Sequence, residues 1–147
     1  VPKMIKKMAD DKVKFKLAVS LHSAIEETRT SIMPFNEKFT LTELRNSLIY
    51  WYENTKNRIT YEYVVWEGIN DKIEDINALV EFCKFAPSKV NLIQYNSIDD
   101  PDFVQANNSA IKLYMDILEK NNINVTFRRS RGKDIDAACG QLANKSQ

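Results

Sequence analysis

Strand-like runs that alternate with stretches of helical spacing, with little chain between them, constrain this sequence more than any other feature. Residues 59–66 (ITYEYVVW) are β-branched and aromatic and form the strongest strand signal. Residues 13–21 (VKFKLAVSL) precede it, residues 90–95 (VNLIQY) follow it, and residues 125–128 read as a short last strand. Between the first two, Thr40 and Glu43 have the spacing of a capping box, and Leu41, Leu44, Leu48 and Tyr52 follow at helical intervals. After Gly68, Asp71 is the expected cap of a helix whose buried stripe is Ile73, Ile76, Val80 and Cys83, and Pro87 blocks its continuation. A third helix is expected from about Asn108 to Lys120, with Ile111, Tyr114, Met115 and Leu118 inward. Strands joined by helices pair in parallel through crossover connections. The expected class is therefore α/β, built from parallel βα units. The pattern alone fits a doubly wound sheet and a piece of a barrel equally well.

At 147 residues and 44% hydrophobic content, the chain supports one domain with a real core. Its net charge of +1 indicates no partner, because the charge is local. Lys3, Lys6, Lys7, Lys12, Lys14 and Lys16 crowd the region of the first strand, and arginines crowd the tail. Three glycines and four prolines argue against low complexity. The two cysteines, Cys83 and Cys139, are too few for a disulfide framework and point to a reducing compartment, taken as the cytoplasm. A membrane span would need about 18 consecutive apolar residues, and the sequence holds no such run. The N-terminus lacks the apolar stretch of a signal peptide. The chain begins at Val1 rather than methionine, so a cut chain is expected.

No glycine-rich phosphate loop follows any strand, which removes the main support for Rossmann and P-loop readings. The strands end instead in polar residues: Ser20 and His22, then Glu67, Asn70 and Asp71, then Asn96 and Ser97. Parallel α/β folds bind ligands at the C-terminal ends of their strands, so these three groups are expected to converge. Near the C-terminus, Cys139 lies between alanine and glycine, shortly after the basic run Arg128, Arg129, Arg131 and Lys133. Such a loop sets a thiol beside something negatively charged.

Five segments in order carry a resemblance. They are residues 17–23 (LAVSLHS), Arg29 with residues 32–36 (IMPFN), residues 62–71 (EYVVWEGIND), residues 90–96 (VNLIQYN) and residues 128–142 (RRSRGKDIDAACGQL). Together the segments resemble the radical-SAM methyltransferases that modify an adenine of 23S ribosomal RNA, the RlmN/Cfr family. Gln94 stands where that family usually has proline and is expected to loosen the strand exit. The family's CxxxCxxC loop, which ligates a [4Fe–4S] cluster, and its Gly-Glu motif for S-adenosylmethionine are absent from this sequence. The resemblance thus implies the C-terminal half of such an enzyme: roughly half of a partial (β/α)6 barrel over residues 1–127, about three of its six strands, with a C-terminal extension over 128–147.

The resemblance implies roles as well. Ser20, Leu21, His22 and Asn96 would contact S-adenosylmethionine. Cys139 would carry the methyl group, taken as thiolate from one S-adenosylmethionine before a radical generated from a second activates it; a nearby arginine favours the thiolate. Arg128, Arg129, Arg131 and Lys133 would face RNA phosphates. The substrate would be C2 of a 23S rRNA adenine, with tRNA as a second candidate. The cluster, whose ligands are absent here, would belong to the full-length parent, and this portion alone would be inactive. No membrane role is implied.

Duller readings accompany each residue. A lone histidine at a strand end is commonly a satisfied polar residue, Asn96 an ordinary turn residue, Cys83 an inert core thiol and the arginine run a solvated loop. Two alternatives stay open: a Cfr-type enzyme methylating C8, and a non-catalytic nucleotide- or RNA-binding α/β domain. A half barrel would also leave the edge of residues 13–21 exposed, so self-association as a homodimer is expected.

Overall fold

A computed structural model describes residues 2–10, 16–33, 38–96 and 104–131. Four strands, β1 (Leu17–Ser20), β2 (Ile59–Val65), β3 (Ser88–Asn96) and β4 (Asn124–Arg131), form one sheet in the order β1-β2-β3-β4. Every neighbouring pair is parallel. The connections carry helices: α2 (Glu26–Ile32) and α3 (Leu41–Thr55) between β1 and β2, α4 (Ile73–Cys83) before β3, and α5 (Asn108–Lys120) before β4. The α/β class with parallel βα units is thus observed, and the four strand-like runs of the sequence are the four strands, where the family resemblance implied about three.

Strand register divides the sheet into two faces. Leu17 and Val19, Ile59, Tyr61 and Tyr63, and Val90 and Leu92 point to one side and are buried against Leu44, Leu48, Trp51, Ile76, Leu79, Ile111, Tyr114 and Leu118. The other side carries a polar row in which Ser20, Glu62, Asn91 and Thr126 are register partners. There Thr126 Oγ1 donates to Asn91 Oδ1 at 2.5 Å, and Asn91 Nδ2 donates to Glu62 Oε1 at 3.0 Å. Hydrogen bonds that run from strand to strand suit a face that is not packed on the helices, since unpaired polar groups could not be buried there without cost.

Several local expectations change. The lysines at positions 3, 6 and 7 lie on a helix, α1 (Pro2–Asp10), whose Ile5 and Ala9 enter the core one turn apart. Lys12 and Lys14, and residues 13–15 of the expected first strand, lie outside the described residues. Thr40 caps α3 by accepting from Glu43 N–H at 3.2 Å, while Leu41 N–H is taken by the Glu26 carboxylate of α2. The cap of α4 is Lys72 rather than Asp71, and Asp75 Oδ2 accepts the Lys72 N–H at 3.1 Å. Ile73 is 43% exposed, so the buried stripe of α4 begins at Ile76 and includes Leu79 and Phe82. Strand β4 is eight residues long. Arg128, Arg129 and Arg131 therefore stand on a strand, not on a loop.

Gln94 does not loosen the exit of β3. Pairing continues on both sides of it, to Val65 of β2 and to Arg129 of β4, and runs on to Asn96 opposite Arg131. The Gln94 side chain is buried and donates to Ala106 O at 2.8 Å and to Asn108 Oδ1 at 3.2 Å, fastening β3 to the start of α5.

Candidate functional site

The strand ends are held apart by side chains that stand in for missing backbone. The last main-chain bond from β1 toward β2 is Leu21 N–H to Glu62 O, at 3.0 Å. Beyond it the chain turns away through His22, whose φ of 58° is left-handed and mildly strained for a residue with a Cβ. The ladder along β2 is then continued by side chains. His22 Nδ1 accepts from Val64 N–H at 2.9 Å, Asn70 Nδ2 donates to Val64 O at 2.8 Å, and Asn70 Oδ1 accepts from Trp66 N–H at 2.7 Å. Asn70 Nδ2 also donates to His22 O at 2.8 Å. With Val64 N–H, Val64 O and Trp66 N–H engaged, β1 diverges without orphaning those main-chain groups. Parallel sheets bind ligands where strand ends part in this way.

Arg29, on α2, fixes the same segment from the other side. Its Nε donates to Leu21 O at 3.1 Å and its guanidinium to Ser20 O at 3.4 Å. The guanidinium is buried, and burial lowers its pKa, while the charge of Glu26 opposes that shift. Three consecutive carbonyls, those of Ser20, Leu21 and His22, are therefore engaged by Arg29 and Asn70.

His22 is chemically committed by these contacts. It is 6% exposed and packs edge-on against Trp66 with ring centroids 5.8 Å apart. Because Nδ1 accepts a backbone N–H, the neutral ring carries its proton on Nε2. Burial, and secondarily the charge of Arg29, push its pKa down to about 4. At neutral pH it is a fixed neutral ring rather than an acid–base group.

The structure places the other expected residues as follows. Ser20 ends β1 and Leu21 is fully buried beneath it. Asn96 ends β3, two strands away from β1 at the same end of the sheet. Arg128 and Arg129 are exposed on β4. Cys139 and Lys133 lie outside the described residues, as does Ser97. Cys83 is the buried thiol expected, its pKa pushed up to about 12 by burial. Arg29 was visible only as a member of a motif, and Asn70 only as one of the polar residues after the second strand. A tertiary bond over 48 residues, such as Asn70 to His22, leaves no local sequence signal.

The fixed main chain at Ser20–His22, the Trp66 ring packed on His22, and Asn96 at the end of β3 make up the strand-end region where parallel α/β folds bind ligands. A [4Fe–4S] cluster does not fit this chain. It has two cysteines, and among the described residues no three His, Cys, Asp or Glu side chains gather as metal ligands. A cleft of about 390 Å³ lined by Cys83, Lys84, Phe85, Ser88 and Asn122 lies at the opposite, amino end of β3. It meets none of the polar groups at the strand ends.

No family model matches the chain. A probable dual-specificity RNA methyltransferase RlmN of Christiangramia forsetii is 68% identical over 146 residues, covering 99% of this chain and 42% of that protein. A radical SAM methyltransferase from Sphaerobacter thermophilus superposes with a TM-score of 0.84 at 33% identity, covering 96% of this chain and 41% of that one. The chain resembles the radical-SAM methyltransferases of the RlmN kind. The RlmN likeness covers nearly all of its sequence, and the chain spans 42% of the length of three RlmN relatives that are 63–68% identical to it. A domain of pyruvate-formate lyase-activating enzyme from Bacteroides vulgatus shares the fold, with a TM-score of 0.64 at 16% identity. Among the described residues, no helix is long and apolar enough to cross a membrane.

Proposed function

We propose that this chain is the S-adenosylmethionine-binding and methyl-carrying part of a cytoplasmic radical-SAM RNA methyltransferase that acts on C2 of an adenine in 23S rRNA, with tRNA as a second substrate. The observation that carries the reading is the match to RlmN-type sequences across 99% of the chain. The crevice at the strand ends supports it. In this reading residues 1–127 form the barrel portion and 128–147 the extension, with β4 running across that boundary.

Each residue then has a task. Ser20, Leu21 and His22 bind the cofactor chiefly through a main chain held by Arg29 and Asn70, and Asn96 meets it from β3. S-adenosylmethionine, when bound, supplies the methyl group and the radical. Cys139, deprotonated, is the nucleophile that receives the methyl carbon. Arg128, Arg129, Arg131 and Lys133 are assigned to contacts with RNA phosphates. The cluster and its ligands belong to the remainder of the parent, so this portion alone neither cleaves S-adenosylmethionine nor methylates RNA.

Methylation assays on the full-length parent test the reading. Cys139→Ala is expected to abolish methylation while Cys83→Ala retains it. Mass analysis of the modified adenosine is expected to place the methyl on C2. Full methylation by the Cys139 variant overturns the carrier role, and a methyl on C8 overturns the regiochemistry.

A further inference from the structure

The Asn70 side chain bonds to the main chain on both sides of the strand ends. It is fully buried and uses both amide protons and its oxygen on backbone: His22 O on the β1 side, Val64 O and Trp66 N–H on the β2 side. Its own carbonyl accepts from Tyr114 Oη at 2.5 Å, and Tyr114 meets Tyr63 at 2.9 Å, so the turn is also anchored to α5 and to the core. A main-chain clamp of this kind could have been made by extending β1. An amide side chain makes it instead, which leaves His22 free to adopt its left-handed conformation and the strand ends free to part.

We propose that Asn70 is a positioning residue for cofactor binding: it sets the conformation of Ser20–His22 that receives the nucleoside. The proposal rests on the reading of this crevice as the S-adenosylmethionine site. Two amide protons aimed at carbonyls of different strands fix the distance between those strands. One acceptor aimed at Trp66 N–H fixes the exit of β2. Asn70→Asp is the most informative change. It keeps the size and the acceptor for Trp66 N–H but replaces both donors with a carboxylate oxygen facing two carbonyls.

The test uses the full-length parent, with Cys83→Ala as a variant that loosens the core away from the crevice. Three quantities are measured: thermal unfolding, the dissociation constant for S-adenosylmethionine, and the ¹⁵N signals of the His22 ring, assigned by their loss in His22→Gln. In the unmodified protein the ring is expected as the neutral Nε2–H form with an accepting Nδ1. Asn70→Asp is expected to stay folded, to weaken S-adenosylmethionine binding by tenfold or more, as loss of a buried hydrogen-bond pair does, and to lose the accepting-Nδ1 signature. Cys83→Ala is expected to lower the unfolding temperature while leaving affinity and signature unchanged. Asn70→Ser, a milder loss, makes the same comparison should the aspartate variant not fold. A folded Asn70 variant with affinity within twofold of the unmodified protein and an unchanged His22 signature overturns the proposal. Failure of the unmodified parent to bind S-adenosylmethionine overturns the reading beneath it, and with it the positioning role.

Discussion

Protonation of His22 is the perturbation whose cost can be worked most directly from the structure. The ring is buried, its Nδ1 already accepts Val64 N–H, and the Arg29 guanidinium lies close enough to disfavour a second positive charge. Adding a proton would break the Val64 bond and place a cation beside a cation in a poorly solvated site. The sign follows from proton uptake. Above pH 6.5 the ring is neutral in both folded and unfolded chains, and it contributes no pH dependence. As the pH falls from 6.5 toward about 4, the unfolded chain takes up a proton that the folded chain refuses, so stability falls. The gap, at roughly 1.4 kcal/mol per pH unit, amounts to about 3.5 kcal/mol across that window. That is a large share of the roughly 5–15 kcal/mol that holds a domain of this size folded. Urea denaturation of the unmodified protein and of His22→Gln at half-unit steps from pH 8 to 4.5 measures it. The stability difference between the two is expected to be flat above pH 7 and to shift by about 2 kcal/mol or more in favour of the glutamine variant by pH 4.5. Other groups cancel in that difference, including Asp75, whose pKa is raised mainly by burial and which acts in the opposite direction. A difference that stays constant between pH 7.5 and 5 would refute the buried, neutral, accepting imidazole.

Other perturbations have equally definite outcomes. Arg29→Met removes the donors to Leu21 O and Ser20 O and the cation near Glu26; a loss of about 3 kcal/mol in denaturant unfolding is expected, and less than 1 kcal/mol would contradict its structural role. Gln94→Ala leaves Ala106 O without its donor and should cost about 1–2 kcal/mol in the same assay, whereas no loss would mean the β3 exit is held by other contacts. Strand β1 is an edge strand, and Leu17–Ser20 carries no charge. Self-association of the 147-residue chain as a dimer at micromolar concentration is expected in sedimentation, and a clean monomer would sink that expectation.

The elements that the sequence declared best are those whose signal is local. Residues 59–66 are β-branched and aromatic because Ile59, Tyr61, Tyr63 and Val65 face the core and Val64 is covered on the other side, and β2 emerges at Ile59–Val65 as expected. Thr40 announces α3 by chemistry that works over three residues. The short helices α1 and α2 escaped for the converse reason. The apolar stripe of α1, Met4, Ile5, Met8 and Ala9, spans only nine residues and is interleaved with lysines that read as a charge cluster, while α2 is a seven-residue piece whose buried residue is an arginine and shows no apolar stripe. Asp71 looked like the better cap for α4 by residue type, yet the half-box made by Asp75 reaching back to Lys72 N–H sets the start one residue later. At the site, polar strand ends were legible as a group. Which atoms they engage was not, because His22 and Asn70 act on a strand more than 40 residues or a whole turn away.

That geometry changes what the motifs mean. The Leu-Ala-Val-Ser-Leu-His run, Arg29 and the Gly-Ile-Asn-Asp turn are separate in sequence, and each invites its own functional reading. In the fold they are parts of one device for ending a β-ladder early. Arg29 takes the carbonyls that β1 exposes as it leaves the sheet, the His22 ring and the Asn70 amide supply the bonds β2 would otherwise lack, and Trp66 packs against that ring. A serine or histidine at a strand end suggests direct chemistry with a ligand. Here the imidazole spends its accepting nitrogen on Val64 N–H and is held neutral, so at neutral pH it can act neither as a base nor as a cation. The same logic assigns the sheet's polar row a different character. Thr126, Asn91 and Glu62 are joined across the sheet, with donors running toward the carboxylate, and none of them bonds to the main chain of Ser20–His22. Substitutions at Arg29 or Asn70 should therefore mimic loss of the strand-end site, while substitutions at Thr126 should not.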